Sequence, residues 1–437
     1  MQKIASILAA GIAIWAALPS SASLAAEGLA AAWAEALARN PQLAAVQFDA
    51  AAAESDLEAA RSGRLPTAYL RGQYAVRSDE SNFRFENPLA PGTTFIEPFR
   101  QREGAGSAAS VNLPIYAGGG IKNSILGAEA RLAAASSGTA MSRMNLLLEV
   151  AEAYVETLRV QRQVEVAQQN LAGMKAHETE VHQHFDLNQV PQTDLLAVQV
   201  AASNAEQLLT RRLNQLEQAR GEYNRLLGRP LNSAVELEEV TMPPLAEPLE
   251  QLQETGLARR PDLAQLQSLS AARRFESERL KAVARPQVLA TGRHDFEENR
   301  YQTPQGIATA AVVVEWNIYD GGRARRASSA ELARAAGLAS MVDDLRSHIA
   351  LQVRTQWNSF QEASSRLQVA LQAVEHADEN LRMQKLRYTQ GLTVSSKVLD
   401  AQTLRSQVVS DLYNAAYDCC LASIRLRHAA GILDVSE

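Results

Sequence analysis

The chain has 437 residues, room for two or three ordinary domains, yet aromatics are only 5% of it and Ala, Leu, Gln, Glu and Arg fill long tracts. Such a composition favours long helices packed side by side over one thick core. The net charge of −6, with Lys and Arg scattered among acids, excludes a nucleic-acid partner, which demands clustered basic surface.

Residues 1–26 read as a secretory signal peptide. Lys3 supplies the positive start, and residues 4–18 form an apolar stretch too short to span a membrane comfortably. Cleavage is expected after Ala25 or Ala26; the competing reading is a membrane-anchor helix. No Cys follows, so no acylated anchor is expected. No later stretch approaches ~20 apolar residues, so no transmembrane helix is expected. Cys419 and Cys420 are the only cysteines. As helical neighbours they point about 100° apart, which predicts free thiols.

The rest divides into two copies of one unit, residues 27–241 and 242–437. Ala38-Arg39-Asn40-Pro41 matches Ala258-Arg259-Arg260-Pro261, and Tyr116-Ala117-Gly118-Gly119 matches Tyr319-Asp320-Gly321-Gly322. The first copy carries one insertion, in the polar, Pro-containing segment 78–104, read as a loop tip. Each copy opens with a helix pair broken at Pro41 or Pro261, a residue suited to the first helical position.

Strands follow, in pairs at 65–116 and 286–319, recognised by alternation. Ala68, Leu70, Gly72, Tyr74 and Val76 share one face, against Thr67, Arg71 and Gln73, with Tyr69 as an exception. Ala109, Val111, Leu113 and Ile115 alternate with Ser110, Asn112, Pro114 and Tyr116. In the second copy Val288, Ala290, Gly292 and Phe296 oppose Gln287, Thr291, Arg293 and Asp295, with His294 off the pattern. The last strand sets Val312, Val314, Trp316 and Ile318 against Glu315, Asn317 and Tyr319. Each is about 10 residues, enough to cross a bilayer when tilted. The same alternation also suits a half-buried sheet in a soluble protein.

Then come the long helix pairs, 118–228 and 321–431. Residues 120–187 and 323–390 lack proline and predict unbroken helices of about 100 Å. In the second, Val353, Trp357, Phe360, Ser364, Leu367, Leu371 and Val374 are spaced as a heptad seam. The first carries Val150, Tyr154, Val164 and Leu171 in the same register. The helices stop at tight turns, Asn188-Gln189-Val190-Pro191 and Gly391-Leu392-Thr393, where Gly391 and Asn188 suit the left-handed ending conformation. Return helices run over about 192–227 and 395–430, and residues 231–249 read as a connector with a short equatorial element.

Four strands close no barrel, and open strand edges cannot face lipid because unpaired backbone groups there cost several kcal/mol each. Several chains must therefore pool their strands, and three would supply a plausible closed set. The function that follows is passage through a membrane-bounded pore continued by a helical tube.

The chain resembles the TolC-like outer-membrane efflux protein family. The residues that carry the resemblance are Asn40-Pro41 and Arg260-Pro261, the paired Tyr-x-Gly-Gly motifs, and the tip motifs Val190-Pro191-Gln192-Thr193-Asp194 and Gly391-Leu392-Thr393-Val394-Ser395. It implies a mainly α fold with a transmembrane β-barrel: a long coiled-coil tunnel, four strands per chain, a 12-stranded barrel in a homotrimer, and internal duplication. It implies a place in the cell outer membrane, reaching into the periplasm. It also implies a periplasmic adaptor (membrane fusion protein) and a proton-driven or ATP-driven inner-membrane pump, in efflux or type I secretion. The chain departs from the family in having Asn188 where the first tip usually carries Gly.

The resemblance places a gate at the tips, with Thr193, Asp194, Lys397 and Asp400 at its positions. A ring of carboxylates in a narrow pore attracts cations. Asp194 also lies in a first helical turn, where an acid suits the helix dipole; Asp400 lies beyond that turn. Lys397 precedes Asp400 by three on the same face; its family counterpart is often acidic, so here the charge is expected to be partly neutralised. The turn residues Asn188, Val190, Pro191, Gly391, Leu392 and Thr393 are the expected adaptor contacts. Tyr116, Gly118, Gly119, Tyr319, Gly321 and Gly322 are read as architectural bends. His177, His182 and His184 with Glu178 suggest a metal site only superficially and are expected to face solvent. No metal or cofactor is expected. Gly-x-Ser-x-Gly, Walker, Cys-x-x-Cys and His-Glu-x-x-His patterns are absent, so no enzyme activity is expected. The rival reading is a periplasmic coiled-coil adaptor or a structural protein without channel activity.

Overall fold

The computed structural model describes residues 26–240 and 247–435. The signal-peptide reading and the boundary between the copies at 241/242 lie outside the described residues or at their edge. The first copy runs α1 (Leu29–Arg39), α2 (Pro41–Ser62), β1 (Thr67–Val76), β2 (Ser81–Glu86), β3 (Thr94–Arg100), β4 (Glu103–Ala117), α3 (Gly120–Asp186) and α4 (Gln192–Leu226). The second runs α5 (Leu249–Arg259), α6 (Pro261–Ala282), β5 (Gln287–Glu297), β6 (Gly306–Glu315), α7 (Arg323–Thr389) and α8 (Ser395–Ala429). Without β2 and β3 the two orders are the same.

The breaks between short helices follow from the residue before each proline, which is pushed out of the helical region. Asn40 is extended and caps α2, its Oδ1 accepting from the Gln42 and Leu43 backbone N–H at 2.9 and 3.1 Å. Its Nδ2 donates to the Leu226 carbonyl at 2.9 Å, tying this break to the end of α4. At the equivalent break Arg260 has no capping side chain; instead it reaches forward to Asp262, at 2.6 Å.

α3 and α7 are each 67 residues long, about 100 Å of helix. Near the strands α3 packs between α2 and α6, and α6 between α3 and α7. Beyond the midpoint α3 packs between α4 and α8, and α8 against α7. The wall therefore reads α2–α3–α6–α7 at one end and α4–α3–α8–α7 at the other.

The largest core lies midway, where Trp33, Leu147, Val150, Tyr154, Tyr223, Leu227 and Ile424 are buried together. Trp33 Nε1 donates to the Leu147 carbonyl at 2.8 Å. Tyr154 Oη lies 2.7 Å from the carbonyls of both Glu27 and Glu238, beside a parallel bridge between Glu27 and Leu237. Truncating one such aromatic costs about 3–5 kcal/mol.

The seam of α7 differs from the heptad expectation. Val353 is buried and Trp357 and Phe360 pack on a core, but Leu371 is 56% exposed, and the buried positions further along are Ala363, Ala377 and Leu381. Val353 and Leu371 are about five whole turns apart and share a face, so the buried line itself moves round α7, whose neighbours change from α5 and α6 to α8 along its length.

The strands form one antiparallel sheet, order β1-β4-β5-β6, and a separate hairpin β2-β3. The register makes the sheet two-faced. Leu70 pairs with Ala109, Ala109 with His294 and His294 with Ala308, while Val111, Gly292 and Ala310 line up in the adjacent row. That face also carries Ala68, Tyr74, Ala290, Val312 and Val314; the opposite face carries Arg71, Gln73, Ser110, Asn112, Thr291, Arg293 and Asp295. Thr291 Oγ1 donates to Asn112 Oδ1 at 2.9 Å, so the polar face is hydrogen-bonded within itself.

Three details correct the sequence expectation. Segment 78–104 holds strands, because Phe83 and Phe85 alternate with Asn82, Arg84 and Glu86 and pair across to Thr94–Arg100. A bulge between Pro114 and Tyr116 sets Tyr116 opposite Val288, so Tyr116 takes the place expected for Ile115. β6 ends at Glu315, leaving Trp316 and Ile318 outside it, because its partner β5 begins at Gln287, which pairs with Glu315.

Candidate functional site at the helix tips

Far from the sheet, α3 and α7 end in matching turns. Asn188 has φ 58°; its N–H donates to the Phe185 carbonyl and that of Gln189 to the His184 carbonyl, both at 2.8 Å. Gly391 has φ 70°, with Gly391 and Leu392 N–H donating to the Tyr388 and Arg387 carbonyls at 2.9 and 2.8 Å. This paired bonding satisfies the last helical carbonyls and requires a left-handed residue. Among described non-glycine residues only Asn188 has positive φ, and asparagine tolerates that region better than most.

Pro191 and Val394 then begin the return helices in extended conformation. Asp194 and Lys397 occupy equivalent first-turn positions, their N–H groups donating to Pro191 and Val394 carbonyls at 3.1 Å. Lys397 Nζ lies 3.5 Å from Asp400 Oδ2, with both side chains largely exposed. The two residues predicted to offset each other do meet; an exposed pair of this kind contributes about 0–1 kcal/mol. Asp194 is half-buried and forms no ion pair among the described residues. Thr193, Val190 and Pro191 lie along the same turn, and a hollow of about 520 Å³ is lined by Pro191, Asp194, Tyr388, Gly391, Thr393 and Ser395.

The histidines part company. His182 is exposed beside Asp186 at 3.1 Å, and His184 is half-buried, 2.6 Å from Gln189 and edge-on to the Tyr388 ring. His177 is buried, contrary to the solvent-facing expectation. Its Nε2 is 2.9 Å from Ser395 Oγ, its Nδ1 is 3.2 Å from Glu180, and its ring meets Tyr388 edge-on at 5.1 Å. The spacing Met174, His177, Val181 places it on the buried stripe of α3, a signal available in the sequence. His177 thus joins α3 to α7 and α8. Burial raises the Tyr388 hydroxyl above the ordinary tyrosine range, with Glu180 and Asp194 adding to the effect. Among the described residues no group of three or more His, Cys, Asp or Glu is arranged to hold a metal.

At the other end lie the bends. Gly118, Gly119, Gly321 and Gly322 have φ of 61, 91, 70 and 78°. A Cβ on Gly118 would sit 2.7 Å from the Ala282 carbonyl oxygen, so close approach of α6 as well as backbone sign demands glycine there. In the second copy Asp320 supplies the helix start: its carboxylate accepts from Ala324 and Gly322 N–H at 2.7 and 2.8 Å, which holds its carboxyl below the usual range. Tyr116 and Tyr319 are exposed beside these turns. Cys419 and Cys420 are free, and burial pushes Cys420 up to about 12.

No helix among the described residues is long and apolar enough to cross a membrane. Comparison with known proteins gives the same architecture. The chain is 18% identical to a membrane protein from Pseudomonas aeruginosa, with a TM-score of 0.77 over 92% of each chain. It is 16% identical to the outer membrane protein VceC of Vibrio cholerae, with a TM-score of 0.78 over 92% of this chain and 96% of that one. It is 12% identical to the outer membrane channel CmeC of Campylobacter jejuni, with a TM-score of 0.79 over 93% and 87%. In sequence it is 24% identical to the outer membrane protein TolC of Vibrio cholerae, covering 95% of this chain and 93% of that protein. It is also 24% identical to the alkaline protease secretion protein AprF of Pseudomonas aeruginosa, covering 67% of this chain and 62% of that protein. The profile described as outer membrane efflux protein matches residues 33–229 and 252–432. The chain belongs to the outer membrane efflux protein family, whose place is the cell outer membrane with an extension into the periplasm.

Proposed function

We propose that three copies join head to tail into an exit duct that carries substrates from an inner-membrane pump across the periplasm and outer membrane. The observation that carries this is the sheet. One face is apolar but for His294 and largely exposed, and β1 and β6 are both edges without a partner among the described residues. Such edges in lipid are tolerable only if copies pair β6 to β1 around a closed ring. Three four-stranded sheets make twelve strands. The helical wall has matching free sides: Leu196, Val200 and Leu213 on α4, and Met341, Leu351 and Val369 on α7, are exposed apolar residues.

The tips then form the periplasmic mouth. Thr193, Asp194, Lys397 and Asp400 gate it, and the turns at Asn188–Pro191 and Gly391–Thr393 meet a periplasmic adaptor. A proton-driven or ATP-driven pump supplies the cargo. Both branches have support, since one relative is named a secretion protein and the profile that matches this chain is described as outer membrane efflux protein. The duplicated strand pairs disfavour a periplasmic adaptor, which would need no membrane-spanning sheet.

The test is the state of the full chain after detergent extraction of membranes. A heat-sensitive particle with the mass of three chains is expected. Recovery in the soluble periplasm, or as a monomer, would overturn the proposal.

A further inference from the structure

The proposal rests on reading the sheet as membrane-spanning and concerns the level at which it stops. There, at the start of the long helices, lie Lys122, Arg325 and Arg326. All three are exposed, and among the described residues none makes an ion pair or a side-chain hydrogen bond. They stand in the first two turns of α3 and α7, where the positive end of the helix dipole opposes a cation. Nearby on α6, Arg279 pairs with Glu276 and Lys281 with Glu278, whereas these three cations at the starts of α3 and α7 have no such anion among the described residues.

Their direction follows from the packing of α3. Ile121, Ile125 and Ala128 face Leu57 of α2, whereas Gly120 and Gly127 face Ala282 and Phe275 of α6. At about 100° per residue these contact lines are roughly 110° apart, and Lys122 falls on the wide side between them. In a wall curved around a tunnel the narrow side looks inward and the wide side outward. Arg325 holds the equivalent place on α7, because Ser328, Glu331 and Ala335, the counterparts of the α2-facing line, face α6 through Ser277, Arg273 and Ser270. The aromatic residues Tyr116, Trp316 and Tyr319, all more than half exposed, lie just toward the sheet, the order found where a chain crosses from hydrocarbon to headgroups.

We propose that Lys122, Arg325 and Arg326 form an outward cationic collar that binds anionic phospholipid headgroups of the periplasmic leaflet. The headgroup phosphates supply the missing anions and offset the unfavourable dipole, while the acyl chains continue onto the apolar face of the sheet. The collar thereby fixes the depth of the barrel–tunnel junction.

The test uses the full chain in a neutral detergent, titrated with phosphatidylglycerol, phosphatidylethanolamine or inorganic phosphate while thermal unfolding is followed. Phosphatidylglycerol is expected to raise the midpoint by roughly 5 °C at low salt, with the effect fading as salt rises. Phosphatidylethanolamine and inorganic phosphate should not. The variant K122Q/R325Q/R326Q should lose most of that shift while its lipid-free midpoint stays equal or rises, because the cations opposing the dipoles are gone. An equal shift with phosphatidylethanolamine, or a variant that keeps the phosphatidylglycerol shift, overturns the collar. Retention in vesicles of either lipid after an alkaline wash is read separately; its failure would overturn the membrane-spanning sheet on which the collar rests.

Discussion

His428 shows how one residue links burial to pH. It is buried on α8 with Nε2 2.9 Å from Asn145 Oδ1. Burial first, and the nearby Arg260 second, push its pKa from 6.5 down to about 4. The unfolded chain takes up the proton near pH 6.5 while the folded chain resists it, so this stability is complete above pH 6.5 and is lost progressively down to about pH 4. The full effect is ~3 kcal/mol. The unfolding temperature should therefore fall between pH 7 and 5, and H428Q should flatten that slope; an unchanged slope would contradict the assignment. At the proposed gate, Asp400→Ala should lower cation selectivity, seen as a reversal potential closer to zero, and Lys397→Gln should raise it, since Lys397 lies beside Asp400. Unaltered selectivity in both would remove Asp400 from the gate. Residue chemistry was legible where the backbone forces it: Asn188 was read as a left-handed ending from its type and place, and it has that φ. The residue type alone points His177 to solvent, whereas its spacing from Met174 and Val181 sets its buried environment.

At the scale of elements, proline and glycine punctuation marked the long helices to within a residue or so. Alternation found the four strands of the sheet and their shared apolar face, because a side-chain period of two is the same in sequence and space. It missed β2 and β3, where Pro88, Pro91 and Pro98 outweighed the alternating phenylalanines, and it could not foresee a bulge that changes register by one residue. The junction glycines give a graded prediction. Gly118→Ala meets both a positive φ and the Ala282 carbonyl, whereas Gly321→Ala meets only a positive φ, with nothing within 4 Å of its Cβ. Gly321→Ala should cost about 1 kcal/mol and Gly118→Ala about 1–3 kcal/mol more, measured as loss of thermal stability of the extracted protein. Equal costs would mean that α6 does not approach Gly118 so closely.

For the whole molecule, the chain shows what it lacks. Its sheet has two edges and an exposed apolar face among the described residues, and its helical wall has two free sides, so the proposed duct would be a property of an assembly of copies. Sequence patterning could announce that incompleteness because unpaired strand edges are prohibited in lipid; it could not supply the inter-chain contacts, which are absent from any one chain's contact pattern. The most direct measurement is single-channel recording of the purified full chain in a planar bilayer. Discrete, long-lived conductance steps are predicted, reduced when the tips are occluded. A protein that inserts stably as a trimer yet passes no current would contradict the duct.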